Sequence, residues 1–157
     1  MANFTVSIAY NKGVVACEQY KGRINGELFA AIVKENFPTW MEHSANPTGK
    51  RFLQDGDSSQ NSAAAMEAWT ELGCTKQDIP ARSPDLNPIE NMFNEMRREL
   101  KEEALSKNIT YETFEKFSAR VKRTMESYPA DKIDKTIDSM DKRINLVIEN
   151  KGYRTKY

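Results

Sequence analysis

Arg82-Ser83-Pro84-Asp85-Leu86-Asn87-Pro88-Ile89-Glu90-Asn91 is the stretch on which the fold turns. Its two prolines hold φ at about −65° and bias Ser83 and Asn87 towards extended backbone, so no helix runs through it. A helix can begin there. Asn87 is a good N-cap, Pro88 suits the first helical position, and Glu90 falls at the third. Behind them Ile89, Met92, Phe93, Met96 and Leu100 recur at helical spacing. Glu90 thus stands on the first turn of an amphipathic helix, beside its apolar face. Two roles are open to it. One is a capping box, Asn87-x-x-Glu90, with the carboxylate reaching back to the Asn87 N–H. The other is a carboxylate presented to a metal ion.

Upstream, Cys74 to Ile79 is a strand candidate weakened by Lys76, Gln77 and Asp78. Before it, Ala65, Ala68, Trp69 and Leu72 share a helix face, closed by Gly73 at the C′ position. Gly56 to Ser62 is a turn with several possible N-caps. Arg51 to Gln54 is a short strand delivering Asp55, a position that turn preference alone explains. Asp55, Asp57 and Ser59 match the first ligands of a calcium loop, but Gln60 and Met66 stand where Gly and Glu are needed. Ser44 to Lys50 reads as a surface loop. The helix before it starts at Asn25 or Gly26, carries Phe29, Ile32, Val33 and Phe37, and is expected to end or kink at Pro38. Phe4 to Tyr10 and Val14 to Tyr20 alternate as strands around Asn11-Lys12-Gly13, a β-hairpin.

Downstream, Ser106-Lys107-Asn108 is a break. Thr110 is expected to cap a helix bearing Phe114, Phe117, Val121, Met125 and Tyr128, which Pro129 ends. Asp131 opens a last helix with Ile133, Ile137, Met140, Ile144 and Val147, closing near Asn150-Lys151-Gly152. Hairpin, helix, strand, helix, strand and three helices make an α/β chain ending in a helical layer.

A length of 157 residues, 39% hydrophobic and 29% charged, fits one globular domain over 1–157. Lys plus Arg and Asp plus Glu both number 23, so nucleic-acid contact would need a local basic patch. Cys17 and Cys74 make neither a disulfide framework nor a zinc pair, which fits a reducing compartment. His43 is the sole histidine, and its polar surroundings mark it as surface. No signal peptide or membrane-spanning apolar run is legible.

Arg-Ser-Pro-Asp-Leu-Asn-Pro-Ile-Glu-Asn resembles the signature around the third acidic residue of the Tc/mariner superfamily of DNA transposases, in the DDE group. Phe52-Leu53-Gln54-Asp55 resembles the second acidic motif, and the 34 residues between Asp55 and Glu90 (positions 56 to 89) match the family's gap. Ser139 to Gly152 with Thr155-Lys156-Tyr157 resembles the family's C-terminus. The resemblance implies a ribonuclease-H-like core lacking its first strand, with Asp55 and Glu90 as catalytic acids and ligands of Mg²⁺ or Mn²⁺. It implies cut-and-paste chemistry on DNA (transposon ends and target). An intracellular location (nucleus in a eukaryote, otherwise cytoplasm) and a homodimer are separate expectations, and the sequence leaves the oligomeric state open. Arg82, Arg97, Arg98, Lys142 and Arg143 are the candidate DNA contacts; the interspersed Glu and Asp favour the plainer reading, ordinary solvated helix faces.

The sequence also departs from that pattern. No acidic residue precedes Glu18, so the first catalytic Asp of the family has no counterpart. Gly56 replaces a common Asn, the usual Pro-x-His is absent from Ser58 to Ser62, and Phe93 holds a frequent Trp position. The expectation is a catalytic domain inactive by itself; the alternative is a non-catalytic remnant that binds DNA or a protein partner.

Overall fold

The computed structural model describes residues 2–44, 51–80 and 83–153. In chain order they form β1 (Asn3–Ala9), β2 (Gly13–Tyr20), α1 (Gly26–His43), β3 (Arg51–Leu53), α2 (Ala63–Glu71), β4 (Thr75–Gln77), a 3-10 turn (Pro84–Leu86), α3 (Pro88–Ser106), α4 (Phe114–Glu126), α5 (Ala130–Asp138) and α6 (Met140–Glu149). They make two units, residues 1–20 with 88–157, and residues 21–87.

In the first unit β1 and β2 pair antiparallel, from Asn3 opposite Tyr20 to Ala9 opposite Gly13. Asn11 (φ 58°) and Gly13 (φ 76°) take the left-handed turn conformations their side chains allow. Packing there is also close: a Cβ on Gly13 would lie 3.2 Å from the Ala130 Cβ at the start of α5. The Asn11 N–H donates to Asp134 Oδ1 at 2.8 Å, pinning the same turn to α5.

Alternation puts Phe4, Val6 and Ile8 on one face of the hairpin, and the helices cover it. Cys17, Met96, Val121 and Met125 form one buried cluster, with Phe4, Val6, Val14, Phe93 and Leu100 against it. Met92, Tyr128 and Ile133 form another, with Val6, Ile8, Ile89 and Ile137. The apolar stripe read from α3 is therefore its buried face. Full burial of such side chains contributes about 1.5–3 kcal/mol each. Asn108 (φ 51°) closes α3, the Ile109 N–H bonding the Ala104 carbonyl at 2.8 Å.

Two expectations for this unit are corrected. Thr113, not Thr110, caps α4, its side chain accepting the Lys116 N–H. Glu112 is the reason: it grips the Arg120 guanidinium (Nε at 3.2 Å), a partner eight residues on that a residue inside the helix could not reach. The single last helix is two, α5 and α6, broken at Ser139. Its hydroxyl bonds back to the Thr136 carbonyl at 2.6 Å, competing with the helical ladder. Among the described residues, four helices, rather than three, follow the organising stretch.

In the second unit Asn25 caps α1, accepting the Leu28 N–H at 2.8 Å. The helix passes Pro38 and continues to His43, against the expected end or kink. Proline inside a helix costs about 3 kcal/mol. Here Pro38 faces solvent while Phe37, Trp40 and Met41 are buried, and three such side chains outweigh that cost. Trp69 of α2 is the hub of this core, its ring centroid 4.0 Å from Phe52 and 4.7 Å from Phe37.

β3 and β4 pair in parallel, Arg51 opposite Thr75 to Leu53 opposite Gln77, with α2 as the crossover. The strands are shorter than the sequence pattern, which included Gln54 and ran from Cys74 to Ile79. Ser62 caps α2, and Gly73 (φ 66°) ends it, the Cys74 N–H bonding the Trp69 carbonyl at 2.9 Å. Of the surface loop expected from Ser44 to Lys50, positions 45–50 lie outside the described residues.

Candidate active site

Asp55 sits just beyond β3 in the second unit and is half-buried. Its Oδ1 accepts the Asp57 N–H at 3.2 Å, an Asx turn. Asp57 in turn accepts the Ser59 N–H at 2.8 Å and the Ser59 hydroxyl. That hydroxyl bond is the main reason the Asp57 carboxyl lies below its ordinary range. Gln54 turns inward, 9% exposed, and donates to the Gln60 carbonyl at 3.1 Å.

Asn61 ties this loop together. Its amide nitrogen donates to the Asp55 carbonyl at 3.0 Å and to the Asp57 carbonyl at 2.8 Å. Its amide oxygen accepts the Lys76 ammonium, which comes from β4 and also pairs with Asp78 at 2.9 Å. Sequence reasoning missed Asn61 and Lys76. Only the parallel pairing of β3 and β4 brings position 76 back to the loop, and no local pattern announces that.

Glu90 occupies the first turn of α3, in the first unit, and is half-buried. The Asn87 N–H donates to the Pro84 carbonyl at 3.1 Å, closing the 3-10 turn. The amide that a capping box would use is therefore already taken. Among the described residues, no hydrogen bond or ion pair engages the Glu90 carboxylate. The helix N-terminus favours a negative charge at this position. The next residue, Asn91, accepts Arg143 Nη1 at 2.9 Å.

The basic candidates divide. Arg97 and Arg98 are exposed on α3, and Lys142 is exposed on α6. Arg97 donates to Asn94 at 2.9 Å, and Arg98 pairs loosely with Glu102 at 3.7 Å. Arg143 is only 5% exposed; besides Asn91 it bonds the Ser139 hydroxyl at 2.8 Å, so its guanidinium faces inward. Arg82 lies outside the described residues. Among the described residues, no group of three or more His, Cys, Asp or Glu is placed to hold a metal ion.

The hairpin, the βαβ element carrying Asp55 and the helix carrying Glu90 fall within one matched stretch. Residues 2–111 match the family model described as DDE superfamily endonuclease. The chain belongs to that family. Within it, the chain is of the Tc/mariner type. It is 34% identical over 106 residues to the Tcb1 transposase of Caenorhabditis briggsae and to the Tc1 transposase of Caenorhabditis elegans, a stretch that is 68% of this chain and 37% of each relative. The chain thus spans little more than a third of the length of these relatives.

The fold matches the catalytic domain of Mos1 mariner transposase with a TM-score of 0.71 at 16% identity, over 99% of this chain and 82% of that one. It matches the Mos1 paired end complex with Mn with a TM-score of 0.78 at 17% identity, over 92% of this chain and 42% of that one. The Mos1 catalytic domain has also been solved with Mg. The chain accordingly has a ribonuclease-H-like α/β fold with a C-terminal helical layer.

Proposed function

We propose that this chain is the catalytic-domain portion of a Tc/mariner-type DNA transposase, with Asp55 and Glu90 as two of its metal ligands. The observation that carries this is the state of the two carboxylates within the family-matching stretch. Asp55 uses one oxygen on its own turn, and Glu90 uses neither, among the described residues. Half-buried carboxylates with unused oxygens are the hard donors that Mg²⁺ or Mn²⁺ takes. Asp55 and Glu90 would hold such ions, whose charge would stabilise the oxygens of an in-line phosphodiester displacement. Asp55 supplies its ligand from a side-chain-braced loop, and Glu90 from a packed helix. Exposed Arg97, Arg98 and Lys142 supply positive charge to phosphates of transposon ends and target DNA, with two copies acting together.

These 157 residues carry two of the three acids the family pattern uses, and the expected outcome for them by themselves is no DNA cleavage. Two measurements test the reading. Mn²⁺ titration followed by electron paramagnetic resonance should show weak binding that Asp55→Asn and Glu90→Gln each reduce; binding indifferent to both substitutions overturns the ligand assignment. Plasmid incubated with the pure chain and Mg²⁺ or Mn²⁺ should stay supercoiled. Nicking that disappears in Asp55→Ala and Glu90→Ala would show that the two acids suffice.

A further inference from the structure

We propose that Asn61, braced by Lys76, is the positioning residue for Asp55; the proposal rests on the reading of Asp55 as a metal ligand. The two acids differ in what holds them. Glu90 lies on a helix, where the backbone ladder fixes its turn. Asp55 lies past the last paired residue of β3, Leu53, and among the described residues no strand partner fixes its backbone. A loop-borne ligand needs other bonds to keep its geometry.

Asn61 provides them. Both protons of one amide nitrogen are used on carbonyls of the loop, at 3.0 Å to Asp55 and 2.8 Å to Asp57. The amide oxygen is fixed by the Lys76 ammonium, which is only 18% exposed in its side chain. A charged donor gives the stronger kind of hydrogen bond, and a partly buried one is little weakened by solvent. The amide therefore cannot flip without breaking three bonds at once. Because Lys76 is on β4, the position of Asp55 is slaved to the β3–α2–β4 unit rather than to the loop. Ser59 and Ser62 tighten the same turn, the Ser62 hydroxyl donating to the Ser59 carbonyl at 3.0 Å.

The test uses the full chain, ¹⁵N-labelled, as wild type, Asn61→Ala, Lys76→Met and the double variant. In metal-free protein, the Asp57 and Ser59 amides should exchange about tenfold faster in either single variant, with amides of α2 unchanged. Unchanged exchange at Asp57 and Ser59 overturns the clamp. On adding Mn²⁺, broadening of the Asp55 amide should require about tenfold more metal in Asn61→Ala, the lower end of what such supporting residues contribute. Lys76→Met should have a smaller effect, and none in the Asn61→Ala background, because it acts through Asn61. Equal metal response in wild type and Asn61→Ala overturns the positioning role. Should wild type itself show no Mn²⁺ response at Asp55, the ligand reading fails, while the exchange measurement still decides whether Asn61 fixes the loop. Additive effects of the two substitutions would show Lys76 acting independently and overturn its bracing role.

Discussion

The Asp55 loop and the Glu90 helix are two ways of presenting a carboxylate. The loop is held by side-chain amides and hydroxyls over a small aromatic core. The helix is held by methionine, valine and isoleucine packing, with its own backbone bonds. Polar bonds are directional and individually modest, about 0.5–1.5 kcal/mol net, whereas apolar packing is non-directional and large in sum. The loop is therefore the more adjustable mount for its carboxylate and the helix the fixed one.

The comparison can be broken most forcefully at Trp69, which is 4% exposed and touches Phe29, Phe37 and Phe52. Trp69→Ala should cost about 3–5 kcal/mol in urea unfolding and free the Asp55 loop. A cost below about 1 kcal/mol would show that this aromatic core does not support the loop. Met92→Ala, at a position 2% exposed beside Tyr128 and Ile133, should cost about 2–4 kcal/mol and loosen α3. Its signature is faster exchange in α3 with the Asp55 loop undisturbed.

Acid sharpens the contrast next. Glu95 lies below its ordinary range chiefly through the Lys132 ammonium, Glu103 through Lys107, and Glu112 through Arg120. All three belong to the first unit; in the second, Asp57 is lowered by Ser59. A carboxyl lowered in the folded state stabilises fully above its unfolded value of about 4.3, and that stability is lost as pH falls through the folded value. Below about pH 4 the first unit should weaken more than the second. Both tryptophans, Trp40 and Trp69, report on the second unit. Helical circular dichroism should therefore fall at higher pH than tryptophan fluorescence changes, and coincident curves would refute the difference.

Smaller effects follow. Ser62→Ala removes the α2 cap and should cost about 1 kcal/mol, read as a lowered urea midpoint at unchanged slope. Lys34→Met removes an ion pair with Glu71 whose side chains are 45% and 53% exposed. It should shift stability by less than about 0.5 kcal/mol in the same assay.

Much of this was legible in the residues because their signals are local. Pro88, Gly73, Asn108 and the alternation around Gly13 each act within a few positions, and each marks the boundary it implied. Glu90 and Asp55 were legible as candidates only through family resemblance, since spacing alone allowed a cap and a turn. What was hidden depends on distant partners. Pro38 is overridden by burial of Phe37 and Trp40, Thr110 gives way to Thr113 because Glu112 reaches Arg120, and Ser139 interrupts a periodicity that looked continuous. Arg143 looked like a surface base, and its burial follows from Asn91, 52 positions away.

The family match stops at residue 111, yet Val121, Met125, Tyr128 and Ile133 close over Phe4, Val6, Ile8 and Val14. A cut placed at that boundary would leave the opening hairpin with a bare greasy side. The two extremities of the polypeptide consequently travel as a pair: a chimera that swaps one between relatives must swap the other, or inherit a mismatched seam.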